Sequence, residues 1–293
     1  MSPDLYFVLT LAIKMAVAAS FVITATVAAE RAGPTVGALI ATLPVSAGPA
    51  YVFLALDHGP QFISRSALAS LALNASTEIY AVAYVLLAQR RPFLVAVPGA
   101  FLAWLVSVVA FTAIATTTWI AVLLNLVIFP LCFLVVRKYR FVRVPPIRLR
   151  WYDFAMRALL VACLVGAVVT LSFHIGAAAT GVLAAFPVVF TSIMLILHNR
   201  IGGQAAAAVL ASGIPGLFGF GVAVLTLHLT AIPLGNWLAL ALALAVSVAW
   251  NLMLFFTRRR KIAAAAAFSG SAAVRGSNRF VVRSYLRPPR WFA

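Results

Sequence analysis

Six residues inside apolar stretches carry most of the chemistry this chain can offer. Lys14, Asn74, Glu78 and Arg157 can ionise or hydrogen-bond, and Pro44 and Pro187 can free backbone carbonyls. Ionisable side chains are costly in an apolar segment, so each is a functional candidate by default. Lys14 lies near the middle of its stretch, and Glu78 has Asn74, Ser76 and Thr77 around it. A Lys14–Glu78 ion pair is one expectation. Such a pair either locks helix packing or serves a substrate or proton site, and breaking it is severe in both cases. Lys14, Arg65 and Arg157 enter apolar stretches against one clear acid, Glu78. A cavity lined by them favours an anionic or zwitterionic solute. Alternatively, Glu78 is a proton-coupling carboxylate.

The prolines belong to a pattern. Pro44 closes Gly37-Ala38-Leu39-Ile40-Ala41-Thr42-Leu43-Pro44, and 143 positions later Pro187 closes Thr180-Gly181-Val182-Leu183-Ala184-Ala185-Phe186-Pro187. The register continues outside the motif: Lys14 falls on Arg157, Gly59 on Gly202 and Gln61 on Gln204. A proline within a helix removes a hydrogen bond and crowds the carbonyl four residues back. That places loosened carbonyls at Ile40 and Leu183. Prolines often only kink membrane helices; the matched pair favours a site.

The elements that position these residues follow from composition. Of 293 residues 65% are hydrophobic and 9% charged, whereas soluble domains are nearer one quarter charged. Apolar stretches long enough to cross a bilayer recur. They predict an all-α polytopic integral membrane protein with nine spans, at 5–29, 35–56, 62–88, 93–114, 117–136, 152–173, 175–197, 204–228 and 234–256. The first is too long for a signal peptide and is preceded by Asp4. With the N-terminus outside, 19 of the 22 Lys and Arg fall in cytoplasmic connections and the C-terminal segment, as the positive-inside rule requires. The net charge of +17 therefore belongs to topology, and no nucleic-acid partner is expected.

Span 2 then runs outward and span 7 inward, so the two copies are inverted. Residues 1–115 form one four-helix repeat, 116–150 a linker helix with a basic loop, 151–256 the second repeat, and 257–293 a basic, disordered cytoplasmic tail. Inverted repeats are a recurrent construction of transporters, with sites near the midplane at interrupted helices.

Residues 10–114 resemble the GlpM-type small inner-membrane proteins, a four-span family. The likeness rests on Ile13-Lys14, on Gly37-Ala38-Leu39-Ile40 leading to Leu43-Pro44, and more loosely on Gly59 and Arg65. The second half resembles the same unit less closely, with Arg157 for Lys14 and Phe186-Pro187 for Leu43-Pro44. The resemblance implies architecture and a bacterial inner-membrane location rather than an activity. Two units joined through an extra helix depart from the family.

Other chemistry is not indicated. His58, His174, His198 and His228 fall at span ends without ligand spacing, and Cys132 and Cys163 lie in apolar runs. No nucleophile–base set, paired acids or nucleotide motif is present, so neither an enzyme nor a cofactor is expected. Arg258-Arg259-Arg260-Lys261 follows the last span and suits anionic lipid headgroups. The expected function is a transporter or channel for a small solute, with Lys14, Pro44, Asn74, Glu78, Arg157 and Pro187 binding it. The alternative is a non-transporting scaffold for envelope assembly. Either is compatible with a homo-oligomer.

Overall fold

Helix boundaries fall where residue types dictate them. The computed structural model describes residues 3–31, 47–115, 117–142, 144–145 and 150–273. These form α1 (Pro3–Arg31), α2 (Ala47–Asp57), α3 (Pro60–Leu87), α4 (Phe93–Ile114), α5 (Thr118–Val136), a 3-10 turn (Arg137–Phe141), α6 (Trp151–Ala184), α7 (Val188–Ile201), α8 (Gly203–Leu234) and α9 (Asn236–Ala273). Pro60 starts α3 behind an extended Gly59, a position where its missing N–H costs nothing. Thr117 caps α5 by accepting from Ile120 N–H at 3.5 Å. Asp153, in the first turn of α6, accepts the Arg150 N–H at 2.8 Å. Gly202 (φ 85°) separates α7 from α8, and Gly235 (φ 77°) separates α8 from α9; glycine alone takes up that left-handed backbone readily.

The described chain contains no strand. Seven of its helices, α1, α3, α4, α5, α6, α8 and α9, are long and apolar enough to cross a membrane. The chain is thus a polytopic helical membrane protein. The two remaining helices, α2 and α7, have 11 and 14 residues. Here the structure departs from nine equal spans. At Gly176, where φ is 76° and ψ 171°, the helical path of α6 is broken, in line with the expected boundary between 152–173 and 175–197, and the half-helix after it stops at Ala184 rather than continuing to 197. After a break at 185–187, α7 begins at Val188. Pro187 accounts for the stop, because it can neither donate to the helix nor leave room for the carbonyl of Leu183. In the other expected interrupted span, 35–46 lies outside the described residues and 47–57 is α2.

The most buried long helix is α3, and the least buried is α1. Its neighbours α4, α5, α6 and α8 surround α3, while α1 packs on α6 and α9 on α8. Alongside residues 177–184 of α6 and α7 it runs parallel: Ser66 Oγ donates to Ala177 O (2.8 Å), Ser70 Oγ to Gly181 O (2.7 Å), and Tyr80 and Tyr84 bond Thr191 (2.9 Å) and His198 (2.8 Å). Against α8 it runs antiparallel, from Ser64 on His228 to Asn74 on Leu217. Close approach is what holds membrane helices together, since lipid is as apolar as the helices themselves. A Cβ on Gly181 would run into the Ser66 backbone, so that glycine lets α3 and α6 touch.

Candidate functional site

The polar centre of the molecule lies where α3 crosses α8. Asn74 Nδ2 donates to Asn125 Oδ1 on α5 (2.9 Å) and to Leu217 O on α8 (3.0 Å). Asn125 Nδ2 in turn donates to Leu71 O (2.7 Å) and Ala121 O (2.9 Å). Gly221 leaves the space Asn74 needs, because a Cβ there would stand 2.9 Å from Asn74 Nδ2. One turn further along α3, on the same face, is Glu78. It is 0% exposed, and neither carboxylate oxygen has a hydrogen-bond partner. Asn74 Oδ1 and Ser76 Oγ are also buried without a partner. Cys132 on α5 lies within electrostatic reach of Glu78.

The expected Lys14–Glu78 pair does not form. Lys14 Nζ instead holds both oxygens of Asp57, at 2.5 and 2.6 Å, with the two side chains 11% and 18% exposed. The packing explains this: α1 lies on α6 and touches the end of α2, while Glu78 faces inward from α3. Asp57 falls between the expected spans 35–56 and 62–88, and no spacing rule links it to Lys14 across 43 positions.

Arg157 sits one turn beyond Asp153 on α6 and acts on it electrostatically. Asp153, 1% exposed, is gripped by Arg200 from the end of α7 at 2.7 and 2.8 Å. Arg200 also donates to Tyr152 Oη at 2.9 Å. Each of the two ion pairs therefore ties a long helix to the C-terminal end of the following short one. Neither Asp153 nor Asn125 stood out in the sequence, although an asparagine amid the apolar residues of α5 was a signal.

Pro187 lies between two half-helices, but the break is closed. The carbonyl of Leu183, expected to be loosened, accepts Phe186 N–H at 3.1 Å, and Pro187 O accepts from Thr191 N and Oγ1, both at 2.9 Å. Phe186 packs edge-on against Trp104, ring centres 5.2 Å apart. Pro44 falls outside the described residues.

A cavity of about 420 Å³ opens between α1, α2, α8 and α9. Its lining is apolar, including Val17, Phe21, Tyr51, Phe53, Ala223 and Leu240. Neither Lys14 nor Glu78 contributes to it. At the α2–α3 turn, His58 stacks on Phe62 with ring centres 3.8 Å apart and bonds Ser172 Oγ through Nε2 at 2.8 Å. Burial holds its pKa below the ordinary histidine value, with Asp57 pulling it up and Lys14 down. Among the described residues no group of three or more His, Cys, Asp and Glu converges as a metal site would require.

No protein-family model, no curated protein and no solved structure matches the chain.

Proposed function

We propose that this membrane protein is a transporter or channel for a small solute, built from two inverted four-helix repeats around α5. One observation carries the reading. Asn74 and Leu217, which touch at 3.0 Å, are 143 positions apart, the same offset that relates Pro44 to Pro187. In a two-fold arrangement a residue meets its own equivalent only on the axis. The helix starts keep this offset: Pro60 of α3 with Gly203 of α8, and Phe93 of α4 with Asn236 of α9. One partner of each ion pair keeps it too, since Asp57 and Arg200 occupy equivalent positions, while Lys14 falls on Arg157 and not on Asp153. With the N-terminus outside, the acid lies toward the outer face and the base toward the cytoplasm, as the positive-inside rule favours. The nine-pass count follows if the regions of α2 and α7 each complete a crossing. The GlpM-type resemblance of residues 10–114 and the bacterial inner membrane belong to the same proposal.

Transporters with inverted repeats bind substrate at interrupted helices near the midplane. Pro44 and Pro187 would interrupt the two central helices, Asn74 and Glu78 would face the axis, and, with Lys14 neutralised by Asp57, Arg157 would set the positive field for an anionic or zwitterionic solute. The test is uptake into proteoliposomes of a panel of small anions and zwitterions. Flux of one solute, lost in Asn74→Ala and kept in Lys14→Ala/Asp57→Ala, supports a pathway at the α3–α8 crossing. No flux on a broad panel overturns the proposal.

A second reading, a non-transporting scaffold, is favoured by a specific observation. Lys14 and Asp57 satisfy each other, and the cavity is apolar. Crosslinking that captures a defined membrane partner, with no flux, would select it.

A further inference from the structure

We propose that Glu78 is the proton-binding site of the transport cycle, an inference that rests on the transporter reading above. Its carboxylate is fully buried, and both oxygens lack a partner. The two ion pairs among the described residues consume Lys14, Asp57, Asp153 and Arg200 and leave none of these cations for Glu78. An ionised carboxylate without a counter-charge at this depth costs several kcal/mol. Some cation must therefore offset it in at least one state. A metal ion needs about six converging oxygens, whereas a proton needs only the carboxylate.

The surroundings fit a proton. Of the helices packed on α3, α4 has no ionisable side chain. From α5 comes only the Cys132 thiol. His228, the one ionisable residue of α8, is engaged by Ser64 and Thr118. On α6, Asp153 is held by Arg200, Arg157 lies beside Asp153, His174 bonds Thr170 O, and Cys163 is exposed. His198 of α7 bonds Tyr84, and on α3 itself Tyr80 bonds Thr191 and Arg65 is exposed near the helix start. Once protonated, Glu78 has an acceptor in reach. Asn74 Oδ1 is buried, unpartnered and one turn away on the same face. The step is a simple protonation: a lone pair on Glu78 takes H⁺ from water at one face, and the O–H bond breaks to release H⁺ at the other. Between the two, the α3–α8 crossing that Asn74 fastens must shift.

The test is infrared spectroscopy of the purified full chain in lipid nanodiscs, as difference spectra between acidic and alkaline pH. The chain has only five Asp and Glu residues, so one carboxylic acid can be resolved. The expected result is a C=O band of a protonated acid, shifted in D₂O, that Glu78→Gln removes entirely and Asp57→Asn leaves in place. In Glu78→Asp, used should the glutamine variant not fold, the band moves in frequency. A band unaffected by every Glu78 substitution, or no such band in the native chain, overturns the inference. Proteoliposome assays separate the two proposals. Solute flux without the band defeats the proton site and leaves transport standing; the band without flux of any solute does the reverse.

Discussion

At the scale of single residues, the two ion pairs show how a helical bundle in lipid treats charge. Lys14 and Asp57 are almost out of solvent and nearly neutralise each other. Removing one partner leaves the other charge buried and unpaired, which is worse than removing both. Lys14→Ala is expected to destabilise the folded chain by roughly 3 kcal/mol, at the low end for breaking a buried pair, whereas Lys14→Ala/Asp57→Ala should recover most of that loss. Thermal unfolding in detergent measures both. If the double variant is no more stable than the single one, the pair is not the structural unit described. The sequence marked Lys14 clearly, because a basic residue within an apolar stretch is rare. Its partner was invisible, because Asp57 closes a short helix that only the packing of α1, α2 and α6 brings alongside.

Among elements, α3 is the piece against which the others are set. Its serines and tyrosines fasten α6 and α7, its Asn74 fastens α5 and α8, and its small residues let helices approach. Pro187 announced the end of the half-helix before it, since proline cannot continue one. The break at Gly176 falls at the expected boundary between 152–173 and 175–197. The contacts around the 185–187 break were hidden, because Phe186 meets Trp104 from a helix far away in sequence. The α3–α6 contact has a sharp steric test. In Gly181→Ala the new methyl meets the Ser66 backbone, which cannot swing aside, so a loss of about 1–3 kcal/mol is expected, as for other overpacked sites. Gly216→Ala on α8 serves as the control, because nothing lies within 4 Å of its would-be Cβ. Equal unfolding temperatures for the two variants would mean that the Ser66–Gly181 contact is not tight.

For the whole molecule, the membrane class was legible from composition alone, whereas the repeat is a proposal drawn from a common offset of 143. What could not be read was which helices meet, since apolar faces all look alike to one another in sequence. The proposed inverted arrangement makes a demand that composition does not: equivalent positions must face opposite sides of the membrane. Gln61 and Gln204 are such a pair, each exposed at the start of its helix, α3 and α8. Single cysteines at these two positions, in a chain with Cys132 and Cys163 replaced by alanine, should react with a membrane-impermeant maleimide from opposite sides. In intact cells Gln61→Cys should label and Gln204→Cys should not, and in inside-out vesicles the pattern should reverse. The basic residues already lean this way, with Arg90 and Arg91 after α3 and Arg200 before α8 on what would be the cytoplasmic side. Labelling of both cysteines from the same side would remove the inverted repeat, and with it the two-fold meaning of the Asn74–Leu217 contact. The Glu78 site would then be a feature of α3 alone.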